Sequence, residues 1–174
     1  VDLCAHFFCL LILHFFVAHS SFLLFAHSSL PCALQHDVVA AAVDRDGRAL
    51  EVASAALRGD REIVLRAIVS ATAPFPHALA CASDALRNDI AVVVTALNLD
   101  ASALEGASAA LRDDEDVVGI AVQIDGLSLE WASARLRDDA AIVEAAVIQS
   151  GGGAVRFASA DLQTDEVSLF CTVT

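Results

Sequence analysis

"ALEGASAALRDDEDVVGIAV" (residues 103–122) and "SLEWASARLRDDAAIVEAAV" (residues 128–147) are one phrase written twice, 25 residues apart. Its Ala-Ser pair serves as an anchor and finds further copies: Ala53-Ser54, Ala82-Ser83, Ala107-Ser108, Ala132-Ser133 and Ala158-Ser159, spaced by 29, 25, 25 and 26 residues. Three residues before each alanine stands Leu50, Leu79, Leu104, Leu129 or Val155, and four after it Leu57, Leu86, Leu111, Leu136 or Leu162. Positions i, i+3 and i+7 share a helical face, so each copy is expected to open with a short amphipathic helix. The later half repeats as Ile63-Val64 with Ala67-Ile68, Val92-Val93 with Ala96-Leu97, Val117-Val118 with Ala121-Val122, and Ile142-Val143 with Ala146-Val147. This i, i+1, i+4, i+5 pattern in an alanine-rich context predicts a second helix. Worn copies flank the array at Val38-Val39 with Ala42-Val43 and at Thr172-Val173.

The joint between the two helices is the most constant part, reading "LRGD", "LRND", "LRDD", "LRDD" and "LQTD". Asp60, Asp89, Asp114, Asp139 and Asp165 are placed to cap the second helix, and Arg58, Arg87, Arg112 and Arg137 to complement the carbonyl end of the first. "DRDG", "QIDG" and "QSGGG" read as turns between copies, and the longer link "SATAPFP" accounts for the wide first spacing. A two-helix unit of about 25 residues cannot bury its own apolar face, whereas stacked units bury a continuous core. The expected fold is therefore all-α: a short α-solenoid of tandem two-helix repeats, degenerate at both ends, over residues 31–174.

The series "LEVASAALRGDREIVLRAIV", "LEGASAALRDDEDVVGIAV" and "LEWASARLRDDAAIVEAAV" resembles the repeats catalogued as domain of unknown function 4116, over about residues 37–170. It departs from them at Ala80-Cys81 and Arg156-Phe157, where that family writes Glu and an aromatic, and at Gln163 in place of Arg. The resemblance implies a helical repeat protein and brings no activity or catalytic residue. Short HEAT-like repeats, also paired helices but with longer units, are the alternative.

Composition divides the chain in two. Residues 1–36 hold one acid, Asp2, and no Arg or Lys, while residues 37–174 hold 22 acids against ten Arg. Within residues 1–30, "FVAHSSF" and "LFAHSSL" repeat with a period of eight. The segment is apolar enough for a membrane span or a signal peptide, but it lacks the basic flank that orients either. A genuine membrane or secretory segment and a translated non-coding tract both stay open. A membrane partner, or display of the solenoid as a tethered or secreted protein, follows only if the segment is genuine. His6, His14, His19 and His27 belong to this low-complexity repeat, and their spacings do not share a helical face.

The net charge of −13 excludes nucleic acid, which needs a basic patch, and favours basic protein partners. Five scattered cysteines (Cys4, Cys9, Cys32, Cys81, Cys171) form neither a disulfide framework nor a zinc motif. Without Lys a P-loop is impossible, and without Tyr a phenolic acid is. The acidic run Asp113–Asp116 lacks the spacing of a calcium loop, and its residues read as a cap and first turn. His77 reads as a surface loop residue. Five copies of one serine make no catalytic sense, so Ser54, Ser83, Ser108, Ser133 and Ser159 are read as small packing residues with hydroxyls bonded back to the preceding turn.

These readings predict a non-catalytic protein-interaction scaffold with no cofactor and no metal, an enzyme with an inter-repeat pocket being the minor alternative. The position that changes between copies is Val52, Cys81, Gly106, Trp131 and Phe157. It either faces a partner or packs between units. Trp131, Phe157 and the neighbouring Glu105 and Glu130 are the candidate partner-binding residues.

Overall fold

A computed structural model describes residues 32–70 and 77–163, and no strand occurs among them. The apolar segment 1–30, the link 71–76, the aspartate Asp165, the worn copy at Thr172-Val173, and Cys4, Cys9 and Cys171 lie outside the described residues. His77 opens a short helical turn, His77–Ala80, rather than lying in a loop. Five longer helices carry the architecture: α1 (Cys32–Arg45), α2 (Arg61–Ser70), α3 (Ile90–Leu97), α4 (Glu115–Ile124) and α5 (Ala140–Gln149). Each packs against the next, α1 directly on α2.

The second-half pattern is the core stripe of these helices. Ile63, Val64, Ala67 and Ile68 are buried on α2, and Val92, Val93, Ala96 and Leu97 on α3. Val117, Val118, Ala121 and Val122 do the same on α4, and Val143, Ala146 and Val147 on α5. All belong to one apolar cluster that runs from Val39 to Ala158. The capping expectation also holds. Asp60, Asp89, Asp114 and Asp139 each accept two free backbone N–H groups at the start of α2 to α5, at 2.9–3.3 Å.

The first half of each copy differs from the expected single helix. It is two separate turns: a six-residue 3-10 turn (Gly47–Val52, Ala101–Gly106, Gly126–Trp131) and a second short turn (Ala55–Arg58, Asp84–Arg87, Leu111–Asp113, Leu136–Asp138). The constant Ala-Ser pair is the extended link between them, with Ala53 at φ −69, ψ 154 and Ser54 at φ −64, ψ 158. Ala107 and Ala132 repeat that geometry at φ −67, ψ 159. The leucines on both sides are buried all the same, Leu50, Leu104 and Leu129 completely. Three of the 3-10 turns have their own aspartate caps, Asp46, Asp100 and Asp125, which accept from Arg48, Ser102 and Leu127 N–H.

The extended link has a physical purpose. It turns the serine N–H outward to the joint of the preceding copy, where an arginine carbonyl accepts it. Ser83 donates to Arg58, Ser108 to Arg87, Ser133 to Arg112 and Ser159 to Arg137, at 2.8–2.9 Å. These bonds set the amino ends of successive long helices side by side. One pair is joined at its carboxyl ends as well, since Gln149 at the end of α5 donates to the Ile124 carbonyl at the end of α4. Neighbouring long helices therefore run parallel. "QSGGG" is a turn as read, with Gly151 and Gly152 in the left-handed region.

Candidate functional site

The repeated serine is more than a small residue, and its hydroxyl bonds forward rather than back. Ser54, Ser108 and Ser133 Oγ accept the N–H of Leu57, Leu111 and Leu136, capping the second short turn. The same hydroxyls of Ser108 and Ser133 donate to Asn88 and Asp113 in the preceding joint. Backbone N–H and side chain together thus pin the Ser108 and Ser133 links to the copy before them, whereas Ser83 and Ser159 are held through the backbone N–H. The constant arginine is likewise a cross-copy residue. Its carbonyl receives the serine, and Arg87 Nε donates 2.7 Å to the Gly106 carbonyl at the end of the next 3-10 turn. Arg87 therefore meets the carbonyl end of the following copy's turn instead of that of its own helix. The Nε atoms of Arg58, Arg112 and Arg137 are buried without a hydrogen-bond partner.

The acidic run is consumed by the fold. Asp114 caps α4, Arg135 from the following copy donates to Asp113 at 3.0 Å and Glu115 at 2.9 Å, and Ser133 donates to Asp113 as well. The Ser133 hydroxyl, then Arg135, hold the Asp113 carboxyl below the usual carboxylate range, and Glu115, then Asp113, push Arg135 up. Among the described residues no group of His, Cys, Asp and Glu is placed to hold a metal ion.

At Gly106 the variable column lies against the preceding copy. A Cβ at Gly106 would stand 2.9 Å from Ala80 N and 3.1 Å from Leu79 Cβ, so only a residue without one fits there. Cys81, Trp131 and Phe157 are half-buried against the core, while Val52 is exposed. The Arg156 guanidinium lies 4.6 Å from the centre of the Phe157 ring. Burial, with Glu51 nearby, pushes the Cys81 thiol up against the opposing pull of Arg58, which leaves it little thiolate and the behaviour of a small apolar residue. Glu105 and Glu130 are exposed beside this column. The four candidate residues thus combine two solvated carboxylates with two aromatic rings that each keep an exposed edge.

What sequence reasoning missed is the carboxyl edge of the long helices. Leu99, Ile124, Leu127 and Ile148 are exposed there, Ile148 to 72% and Leu99 to 59%. Their signal was present in the sequence as apolar residues that fall outside the i, i+1, i+4, i+5 stripe. Among the described residues no helix is long and apolar enough to cross a membrane. A comparison with protein-family models, curated proteins and solved structures finds no match.

Proposed function

We propose that the chain is a non-catalytic α-helical repeat module, a short solenoid of tandem units of about 25 residues, which serves as a protein-interaction scaffold. The observation that carries this reading is the bond from each link serine to the previous copy's arginine carbonyl, made four times at the sequence repeat. A set of bonds that ties each unit only to its neighbour is the chemistry of a one-dimensional stack. Such stacks present the same backbone at every step and vary in the side chains at their surface.

On this reading the partner is a protein with a basic surface, met by Glu105 and Glu130 with the exposed edges of Trp131 and Phe157. Aromatic anchors rimmed by charge are the usual make-up of an interaction hot spot. The test is a pull-down that compares the wild-type chain with a Trp131→Ala/Glu130→Arg variant. The variant is expected to lose partners that the wild type retains. Equal capture by both would remove this face from consideration.

A further inference from the structure

We propose that the carboxyl edge of α3, α4 and α5 is a docking strip for an amphipathic basic segment of a partner protein. The inference rests on the reading of the chain as an interaction scaffold and names a second surface for it. Three observations carry it. The first is apolar exposure: Leu99 just past α3, Ile124 at the end of α4, Leu127 in the turn that follows, and Ile148 at the penultimate position of α5. The parallel order of the helices, with α4 and α5 also clasped at their carboxyl ends, puts these side chains along one edge. Leu127 continues it toward Gly153, whose built Cβ would lie 3.3 Å from Leu127 Cδ2.

The second observation is the segregation of charge. Residues 88–111 and 113–134 contain no arginine, so from α3 to α5 the cations lie at the joints, on the amino edge, and Arg156 in the turn beyond α5 lies against the Phe157 ring. The carboxyl edge carries Asp100 and Asp125, each next to an exposed apolar residue in Leu99-Asp100 and Ile124-Asp125. The third is the backbone itself, because three parallel helices point the negative ends of their dipoles to this edge. An apolar strip with a negative field is complementary to a helix that carries leucine-like residues on one face and Lys or Arg beside them. Helix axes about 8–10 Å apart make the strip about 16–20 Å long. That is the length of a helix of about 12 residues.

The probe is a fluorescently labelled synthetic Lys/Leu amphipathic helix, read by anisotropy, with a Glu/Leu helix of the same pattern as control. The wild-type chain is expected to bind the first and not the second. Leu99→Ser/Ile124→Ser/Ile148→Ser keeps every charge and alters only exposed side chains, so it should weaken binding at least about tenfold. Asp100→Asn/Asp125→Asn keeps the capping ability of both positions and should flatten the salt dependence of binding. Circular dichroism checks that all variants stay helical. Equal affinity of the serine variant, or binding of the Glu/Leu helix as tight as that of the Lys/Leu helix, overturns the proposal. The Trp131→Ala/Glu130→Arg variant is followed separately in the pull-down. If the peptide fails to bind while that variant still loses partners in the pull-down, the strip falls and the scaffold reading stands.

Discussion

Replacing Gly126 by alanine probes the packing of the last two long helices. Gly126 opens its 3-10 turn directly against the end of α5: a Cβ there would stand 2.1 Å from the Ala146 carbonyl oxygen and 3.0 Å from Ser150 N. Ordinary contact begins at 3.4 Å, so turn and helix must part by more than 1 Å. Parting them strains a clasp in which Gln149 Oε1 accepts the Gly126 N–H at 2.5 Å while its Nε2 donates to the Ile124 carbonyl at 2.9 Å. Overpacking costs about 1–3 kcal/mol, and two weakened hydrogen bonds about 1 kcal/mol each, which gives about 3–5 kcal/mol. In a chain of this size that lowers Tm by about 6–20 °C. Ala101 occupies the same register one copy earlier, and there the counterpart of Gln149 is Ile124, which has no group to form a clasp. The cost at Gly126 therefore reports the closer, clasped packing of α4 and α5. Gly119 is the internal control. A Cβ there meets nothing within 4 Å, and inside a helix alanine gains about 0.5–1 kcal/mol over glycine. Urea unfolding followed by circular dichroism measures both. A Gly126→Ala chain within about 0.5 kcal/mol of wild type, or a Gly119→Ala chain equally destabilised, refutes the reasoning.

Two further outcomes follow from the caps and the carboxylates. Asp139→Ala should cost about 0.5–2 kcal/mol in urea unfolding while Asp139→Asn costs little, because asparagine accepts the same two N–H groups; equal losses would show that charge and not capping matters. The Asp44 carboxyl, hydrogen-bonded by Arg66, and the Asp113 carboxyl, bonded by Ser133 and Arg135, are both held low in the folded chain. Their stabilisation is present above the unfolded value of about 3.9 and is lost as pH falls through the lower folded value. Tm should therefore drop on acidification below about pH 4, and Asp113→Asn should flatten that drop; an acid limb unchanged in the variant would count against the assignment.

The second helix of each copy was legible because its evidence is redundant. A capping aspartate, a doubled valine pair and an alanine one turn later all point to the same helix, and each is found in place from Asp60 to Val147. The first half was misread because burial alone cannot tell one helix from two turns joined by an extended link. Both arrangements bury the residues three before and four after the alanine. The discriminating signal was local. Ser54, Ser108 and Ser133 each stand three residues before the leucine whose N–H they accept, which is an N-cap placement and not a mid-helix one. The candidate face was legible only as a column of changing letters. That Gly106 packs against the preceding copy depends on the cross-copy bonds, and no spacing within one copy encodes those.

The caps also change what the acidity means. Asp46, Asp60, Asp89, Asp100, Asp114, Asp125 and Asp139 each satisfy free N–H groups at the start of a helix or 3-10 turn. A large share of the negative charge is therefore structural, and a net charge of −13 by itself says little about partners. Its placement says more. Asp60, Asp89, Asp114 and Asp139 sit at the positive ends of long helices, with the joint arginines close by in sequence, so much of their field is cancelled. Asp100 and Asp125 follow the carboxyl ends of α3 and α4, where the dipole has their own sign and no arginine lies nearby in sequence. The same residue type therefore neutralises one edge and reinforces the other. The edge it reinforces is also the one that leaves Leu99, Ile124 and Ile148 uncovered.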